Sequence, residues 1–485
     1  MTNHPLSSYT KAHSGNAPAI IVGITNYFKS RINFDIKTLF FILLLNFSVC
    51  LSAQTKVVRK GEHYSFYRNG APYYVKGLGG DVNLDRVVAI GGNSIRIWGV
   101  ENAQQVLDEA QKRGLTVMLG LWLQHERHGF NYSDSEKVLK QLNYFKTIID
   151  KYKNHPALLM WGIGNELDLN YTNTKCWNAV QDIAKYAHAV DPNHPTSTVT
   201  AGLDSSEVQL IKKNAPDVDV YCVNTYGDIA NVPLNIAKFG WDGPYMITEW
   251  GPNGYWESPN TTWKAAIEQT SAEKKRVFYD RYKNYIDANK EKCLGSYAFL
   301  WGMKQEYTET WFGLFTKDNL PTEPIDALEM VFTGKNPTLP APTVVSMTLN
   351  NSSDKKDIRL KAEEIYKADV VAEIGVNMDN LVEDSNHAFV YTWKVLSESS
   401  DKKSGGDAEE EAQEIHGLIK HGSRSAIELR APKVEGAYRI FVKVTSNGKV
   451  AYANIPFWVE KRAEQDGQAR WIEFKKKDMR SFNEQ

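Results

Sequence analysis

Between residues 73 and 301 the chain alternates two hydrophobic patterns. Short apolar runs recur as YYVKG (73–77), NSIRIW (93–98), TVMLGLW (116–122), LLMWGIG (158–164), TSTVT (196–200), VYCVN (220–224), YMITEW (245–250) and SYAFLW (296–301). Most are separated by stretches in which apolar residues return every three or four positions, such as ENAQQVLDEAQKRG and VLKQLNYFKTIIDKYKN. The first pattern is that of a buried parallel strand, the second that of an amphipathic helix. Eight such units predict an α/β fold of the (β/α)8 TIM-barrel type, which needs roughly 250 residues. A doubly wound open sheet is the competing architecture, but no Gly-rich phosphate loop follows any early strand. Ahead of the barrel, YSFYRNGAPYYVKGLGG carries Asn-Gly between alternating runs, the signal of a β-hairpin.

The periodicity then changes. TGKNPTLPAPT (333–343) is Pro-rich and reads as a linker. Beyond it, runs such as TVVSMTLN, DVVAEIGVN, HAFVYTWKVL and AYRIFVKVTSNGKVAYANIPFWVE alternate as short strands do, and predict a C-terminal immunoglobulin-like β-sandwich. Inside it, SESSDKKSGGDAEEEAQE (397–414) is charged and nearly free of apolar residues, so it is expected to be disordered and remote from any site. The expected division is an N-terminal extension with signal peptide (1–54), the barrel (55–335), a linker (336–343), the sandwich (344–461) and a charged tail (462–485).

The N-terminus changes the picture by adding an address. TLFFILLLNFSV (38–49) follows Lys29, Arg31 and Lys37 and precedes CLSAQ, the order of a signal peptide with cleavage near Ala53. The expectation is an exported protein of the periplasm, cell surface or medium. Cys50 is a candidate lipid-attachment residue for membrane association, although Val49 suits that motif poorly. Cys176, Cys222 and Cys293 remain, too few for a disulfide framework. A net charge of −1 gives no reason to expect a nucleic-acid partner. The 13 Trp among 485 residues are a surplus that can fill a core or line a site for sugar rings.

Two of the strands end on an acid. LLMWGIGNE closes on Asn165 and Glu166, and YMITEWG on Glu249, 83 positions later. In a barrel both fall at the C-terminal mouth, where such enzymes do their chemistry. Two carboxyl groups flanking one bond can cleave a glycoside, one protonating the leaving oxygen and one meeting the oxocarbenium-like carbon. The alternative for either Glu alone is a capping or buried structural role.

Gly-Asn-Glu at one strand end and Thr-Glu-Trp-Gly three strands on resemble clan A of the retaining glycoside hydrolases. The resemblance covers the barrel. It implies Glu166 as acid/base, Glu249 as nucleophile and Asn165 as partner of the sugar 2-hydroxyl, with no cofactor or metal. It also implies Arg96 beside the nucleophile, or else a structural ion pair, and Tyr226 bonded to the nucleophile, or else an aromatic of the rim. Trp301 is implied as the floor of the cleaved sugar, or else core packing. His125 and His128 are spaced like a metal pair without a third ligand, and His125 is read as a substrate hydrogen-bond partner. Trp98, Trp122, Trp250, Trp256 and Trp311 are candidate sugar platforms or packing residues. The order of domains, with TETWFGLF (308–315) after the last strand, is similar to glycoside hydrolase family 158. That likeness implies an endo-β-1,3-glucanase acting on β-glucan polysaccharide or oligosaccharide such as laminarin. The alternatives are another clan A β-glycosidase, a β-mannanase or an exo-acting β-glucosidase or galactosidase, or a non-catalytic glycan-binding protein.

Overall fold

The computed structural model describes residues 54–375, 381–382, 388–403 and 405–461. The expected signal segment with Cys50 and the expected tail from residue 462 lie outside them.

The eight apolar runs form a closed parallel barrel. Three strands precede it in the chain: β1 (Thr55–Lys60), β2 (His63–Arg68) and β3 (Ala71–Tyr73). The barrel strands are β4 (Val75–Gly79), β5 (Ser94–Ile97), β6 (Thr116–Leu121), β7 (Leu158–Asn165), β8 (Thr196–Ala201), β9 (Val220–Asn224), β10 (Tyr245–Trp250) and β11 (Cys293–Ala298). Each pairs in parallel with its neighbour in the chain, and β11 closes on β4. Met118, Met160, Val199, Cys222, Met246 and Tyr297 point into one interior cluster. Leu119, Trp161, Tyr221 and Ile247 point outward onto helices such as Ser135–Tyr152 and Cys176–Val190. The two-residue side-chain alternation of a strand accounts for this division. After β9 the helix shrinks to one α-turn, Val232–Asn235.

β1 to β3 form a small antiparallel sheet across the N-terminal end of the barrel. Their Asn-Gly turn has both φ values positive, 50° at Asn69 and 81° at Gly70, as a two-residue hairpin loop requires. The run YYVKG therefore divides: Tyr73 ends the hairpin and Val75 begins the barrel. Tyr64 and Phe66 plug the interior from below, and the Tyr64 hydroxyl donates to the Asp242 carbonyl at 2.8 Å.

Beyond the barrel two sheets share one core. One holds β12 (Pro342–Leu349), β14 (Ile365–Gly375), β15 (Leu381–Val382), β17 (Ile419–Lys420) and β18 (Ala426–Arg430). The other holds β13 (Arg359–Lys361), β16 (Val390–Ser397), β19 (Gly436–Ser446) and β20 (Lys449–Glu460). Pairing is antiparallel except between β13 and β20. Leu349, Val370 and Leu429 of one sheet pack with Val395, Ile440 and Phe457 of the other.

The structure departs from the sequence reading in two places. The Pro-rich stretch is tied down: Ala341 N donates to Asp326 Oδ2 at 2.7 Å, and Lys449 Nζ meets Asp326 Oδ1 at 2.6 Å. Beside it, Lys274 Nζ lies 2.6 Å from Glu268 Oε1, and both side chains are buried. Glu268 also accepts from Thr308, Thr310 and Asn454, and Lys274 donates to the Thr310 carbonyl and Tyr452 hydroxyl. Arg439 joins through Asn454 and Glu398. A buried ion network of this kind holds one relative placement of barrel and sheets, because displacing either side strands a charge. The second departure is the acidic insertion. Its described residues do not hang free; they run along the barrel mouth. Its charges replace the apolar contacts it lacks: Asp407 meets His128, Glu409 accepts from Tyr307 N, and Glu411 meets Lys317 at 2.7 Å.

Lys274→Met should lower unfolding stability by about 3–5 kcal/mol, the cost of leaving Glu268 buried without its cation. Urea unfolding followed by far-UV and tryptophan signals checks this, with barrel and sheets melting in one transition.

Candidate active site

Consecutive residues of a regular strand face opposite sides, so Asn165 and Glu166 could not both reach the mouth from an unbroken β7. Gly164 has φ 75° and Glu166 φ 49°, and the pairing of β7 with β8 shifts between Gly162 and Asn165. Leu167 Cδ1 would lie 2.8 Å from a Cβ at Gly164, so glycine is required there for space as well as for φ. A glutamate at positive φ is uncommon and is held here by its backbone N–H, which donates to the Val199 carbonyl at 2.9 Å. β10 breaks in the same manner, its register with β9 shifting between Ile247 and Glu249. Thr248 Oγ1 then donates to Asn224 at 2.9 Å and Glu249 turns into the mouth.

Arg96, at the end of β5, is 2% exposed and lies beneath both acids. Its Nη1 donates to Glu249 Oε1 at 3.0 Å, to the Thr248 carbonyl at 2.8 Å and to Asn224 Oδ1 at 3.3 Å. Its Nη2 donates to Asn165 Oδ1 at 2.5 Å. Glu249 further accepts from Trp98 Nε1 at 2.8 Å and from the Tyr226 hydroxyl at 3.0 Å. Burial first, and then the charge of Glu249, holds the Tyr226 phenol well above its ordinary pKa, so it stays a donor.

Glu166 has a different setting. Its Oε1 accepts from Asn224 Nδ2 at 2.8 Å, while the same amide donates to Asn165 Oδ1 at 3.1 Å. Burial, and then the charge of Glu249, pushes its carboxyl well above the usual carboxylate range. The proton is thus held on Glu166, as a general acid requires. Asn165 uses its Oδ1 twice within the protein, which leaves its Nδ2 as the donor for a ligand.

These groups border a cavity of about 580 Å³. Of the residues singled out from sequence, Asn165, Glu166, Glu249, Tyr226, Trp98, Trp122 and Trp256 line it. Trp256 is 57% exposed and presents an open ring face. Arg96 lies under the lining and acts through the groups it bonds.

Others are placed elsewhere. Trp250 is buried between barrel and helix, its ring 5.3 Å from Phe278, because the residue after an inward Glu249 faces out. Trp301 is pinned behind the mouth: its backbone N–H donates to the Gly79 carbonyl, its Nε1 donates to the Val82 carbonyl at 2.7 Å and its ring packs on Phe315. Phe299 and Leu300 line the cavity from that strand end instead. Trp311 is buried, with Nε1 donating to the Asn253 carbonyl at 2.8 Å. His125 is buried outside the lining, with Nε2 2.6 Å from the Asn165 carbonyl and its ring against Trp122. Burial pushes its pKa down to about 4, so it stays neutral and orients Asn165 rather than touching a ligand. His128 meets Asp407 of the acidic insertion at 2.9 Å.

The sequence reading missed Asn224, the amide that bonds Glu166 and is joined to Glu249 through Arg96. Its signal was present: like Asn165, it is a polar residue ending an apolar run. It also missed Lys304, Glu306, Asp228 and Glu257, which line the cavity from loops without a pattern.

Because folding raises the Glu166 pKa above its ordinary 4.5, the folded chain keeps a proton that the unfolded chain loses. Stability should therefore fall as pH rises from about 4.5 toward the raised value, and Glu166→Gln should remove that loss. Melting curves at about pH 5 and about pH 8 check it, the variant gaining relative to wild type at the higher pH.

Residues 97–301 match the TIM-barrel domain of glycosyl hydrolases family 2. A β-glucuronidase of Chlorocebus aethiops is 24% identical over 220 residues, covering 38% of this chain and 32% of that protein. Mannan endo-1,4-β-mannosidase F of Aspergillus fumigatus is 24% identical over 172 residues, covering 30% of this chain and 39% of that protein. The solved β-D-glucuronidase of Dictyoglomus thermophilum superposes with a TM-score of 0.45 at 19% identity, covering 58% of this chain and 54% of that one. The chain spans about a third of the length of the curated relatives it matches. The match falls on the closed parallel barrel whose mouth carries the two strand-end acids.

Proposed function

We propose that the chain is a retaining β-glycosidase acting on neutral sugars by double displacement. The observation that carries this reading is the pair Glu166 and Glu249 on one cavity, joined through Asn224 and Arg96 and held in unlike environments. In the first step Glu249 attacks the anomeric carbon while Glu166 gives its proton to the leaving oxygen. Arg96, Trp98 and Tyr226 aim the attacking carboxylate. Glycosylation removes its charge, which lowers the pKa of Glu166 and lets it accept a proton from water in the second step. Asn165 Nδ2 offers the sugar a hydrogen bond that strengthens as charge develops.

The lining favours an uncharged sugar. Asp228, Glu257 and Glu306 join the two reactive acids, and Lys304 is the single lysine or arginine among the described lining residues. Lys304 is already engaged with Glu306 and the Gly406 carbonyl. A uronate carboxyl would meet net negative charge there, so a gluco-, galacto- or mannopyranoside suits the cavity better than the glucuronides named for several relatives. The endo-β-1,3-glucanase reading rested on domain order, and the family 2 match lends it nothing, so the broader β-glycosidase reading takes its place. Export, argued from residues 38–53, belongs to the same proposal.

Glu249→Gln should lower kcat on an aryl β-glucoside or β-mannoside by on the order of 10³-fold or more with the far-UV signal of the folded chain retained, and retention of a few per cent of activity would contradict the nucleophile. Glu166→Ala should recover turnover with azide and yield a β-configured glycosyl azide; an α-configured product would exchange the two roles. In wild type kcat/KM should fall as pH rises through the raised pKa of Glu166, and rate profiles on a substrate with a poor leaving group test that limb.

A further inference from the structure

The acidic insertion was expected to lie away from the site, yet two of its residues, Gly405 and Gly406, line the cavity. Resting on the glycosidase reading, we propose that residues 405–411 of the C-terminal domain are the end wall of that cavity and limit the substrate to a chain end, so that single sugars leave from the non-reducing terminus.

The contacts are close ones. Gly405 has φ 65°, and a Cβ there would lie 2.7 Å from Arg127 Nη2 and from Leu169 Cδ2. Gly406 has φ 71°, and its Cβ would lie 2.8 Å from Lys304 Nζ. Main chain is laid directly on barrel side chains with no space for a glycan strand between them. The segment is fastened on both flanks. After β6, Asp407 meets His128 at 2.9 Å and Arg127 at 3.6 Å. After β11, Lys304 Nζ donates to the Gly406 carbonyl, and Tyr307 N donates to Glu409 Oε2 at 2.5 Å. The segment thus bridges the loops that follow the third and the eighth barrel strands.

The wall stands on the side of the attacking carboxylate. Lys304 and Tyr307, which hold Gly406 and Glu409, follow Phe299 in the chain, and the Phe299 ring packs on Trp98 and Tyr226, the two aromatic donors to Glu249. The sugar attacked by Glu249 therefore has the wall at its far end. The other side is open: Ala201 and Gly202 line it, and a Cβ at Gly202 would meet nothing within 4 Å. A leaving group of any length can extend there, whereas a polymer cut internally needs room in both directions.

Reducing-end-labelled β-gluco- and β-manno-oligosaccharides, with the matching polymers and aryl glycosides, test the wall. Wild type should shorten a ladder one sugar at a time. The insertion can be excised at its base, where Ser397 N donates to the Gln413 carbonyl and Ile415 N to the Val395 carbonyl, both at 2.9 Å. With residues 400–410 replaced by Asn-Gly, internal cleavage products should appear, and the ratio of polymer to aryl-glycoside kcat/KM should rise by on the order of tenfold. Asp407→Ala with Glu409→Ala, which frees the wall without shortening the chain, should move the ratio the same way and decides the matter if the excised chain fails to fold. Mixed-length products from wild type at early times, or single-sugar release and an unchanged ratio in a folded variant, would overturn the wall while leaving the hydrolase intact. A wild type inert on every aryl β-glycoside and oligosaccharide would sink the glycosidase reading, and the wall with it.

Discussion

A buried guanidinium must spend its donors inside the protein, and Arg96 spends its donors on the barrel mouth. Leaving such a cation unpaired in an interior costs several kcal/mol, so its partners cannot drift. Those partners are Glu249, the Thr248 carbonyl, Asn224 and Asn165, which end three different barrel strands. Because Arg96 is planar and forked, satisfying it fixes angles as well as distances. Glu249 is therefore placed by a charge beneath it, and Glu166 by Asn224, which the same charge holds.

That placement needs the strands to break their own alternation. β7 does so with Gly164 and a left-handed Glu166, and β10 with a shift of register before Glu249. Irregularities of this type cost energy and persist where the surroundings over-determine them. The surroundings here are Arg96 below, Val199 and Asn224 at the side, and Trp250 packed behind on Phe278. Strain at the mouth is supported by packing on the outside of the barrel.

The C-terminal sheets belong to the same mechanical unit. Lys274, Glu268 and Arg439 form a buried polar seam, and the acidic insertion crosses from the sheets to the mouth. Charge serves twice in this arrangement. Buried, it locks two bodies in one orientation. Half-exposed, it holds a chain segment too polar to collapse against a barrel surface rich in Arg, His and Lys.

The sequence by itself determined the barrel, because eight buried apolar runs and their helices obey local periods of two and about 3.6 residues. It also located the two acids and the amide beside one of them, since a polar residue ending an apolar run is visible without coordinates. Tertiary structure alone decided which aromatics face sugar. Trp98 and Trp256 line the cavity while Trp250 and Trp301 do not, and that choice turns on one-residue register shifts and on backbone bonds to Gly79 that leave no periodic trace. The role of Asn224 depends on atoms brought together from residues 96, 165, 224 and 249. The insertion was misread for a related reason: a low apolar content rules out a core of its own, but not capture by complementary charges some 100 to 280 residues away in the chain.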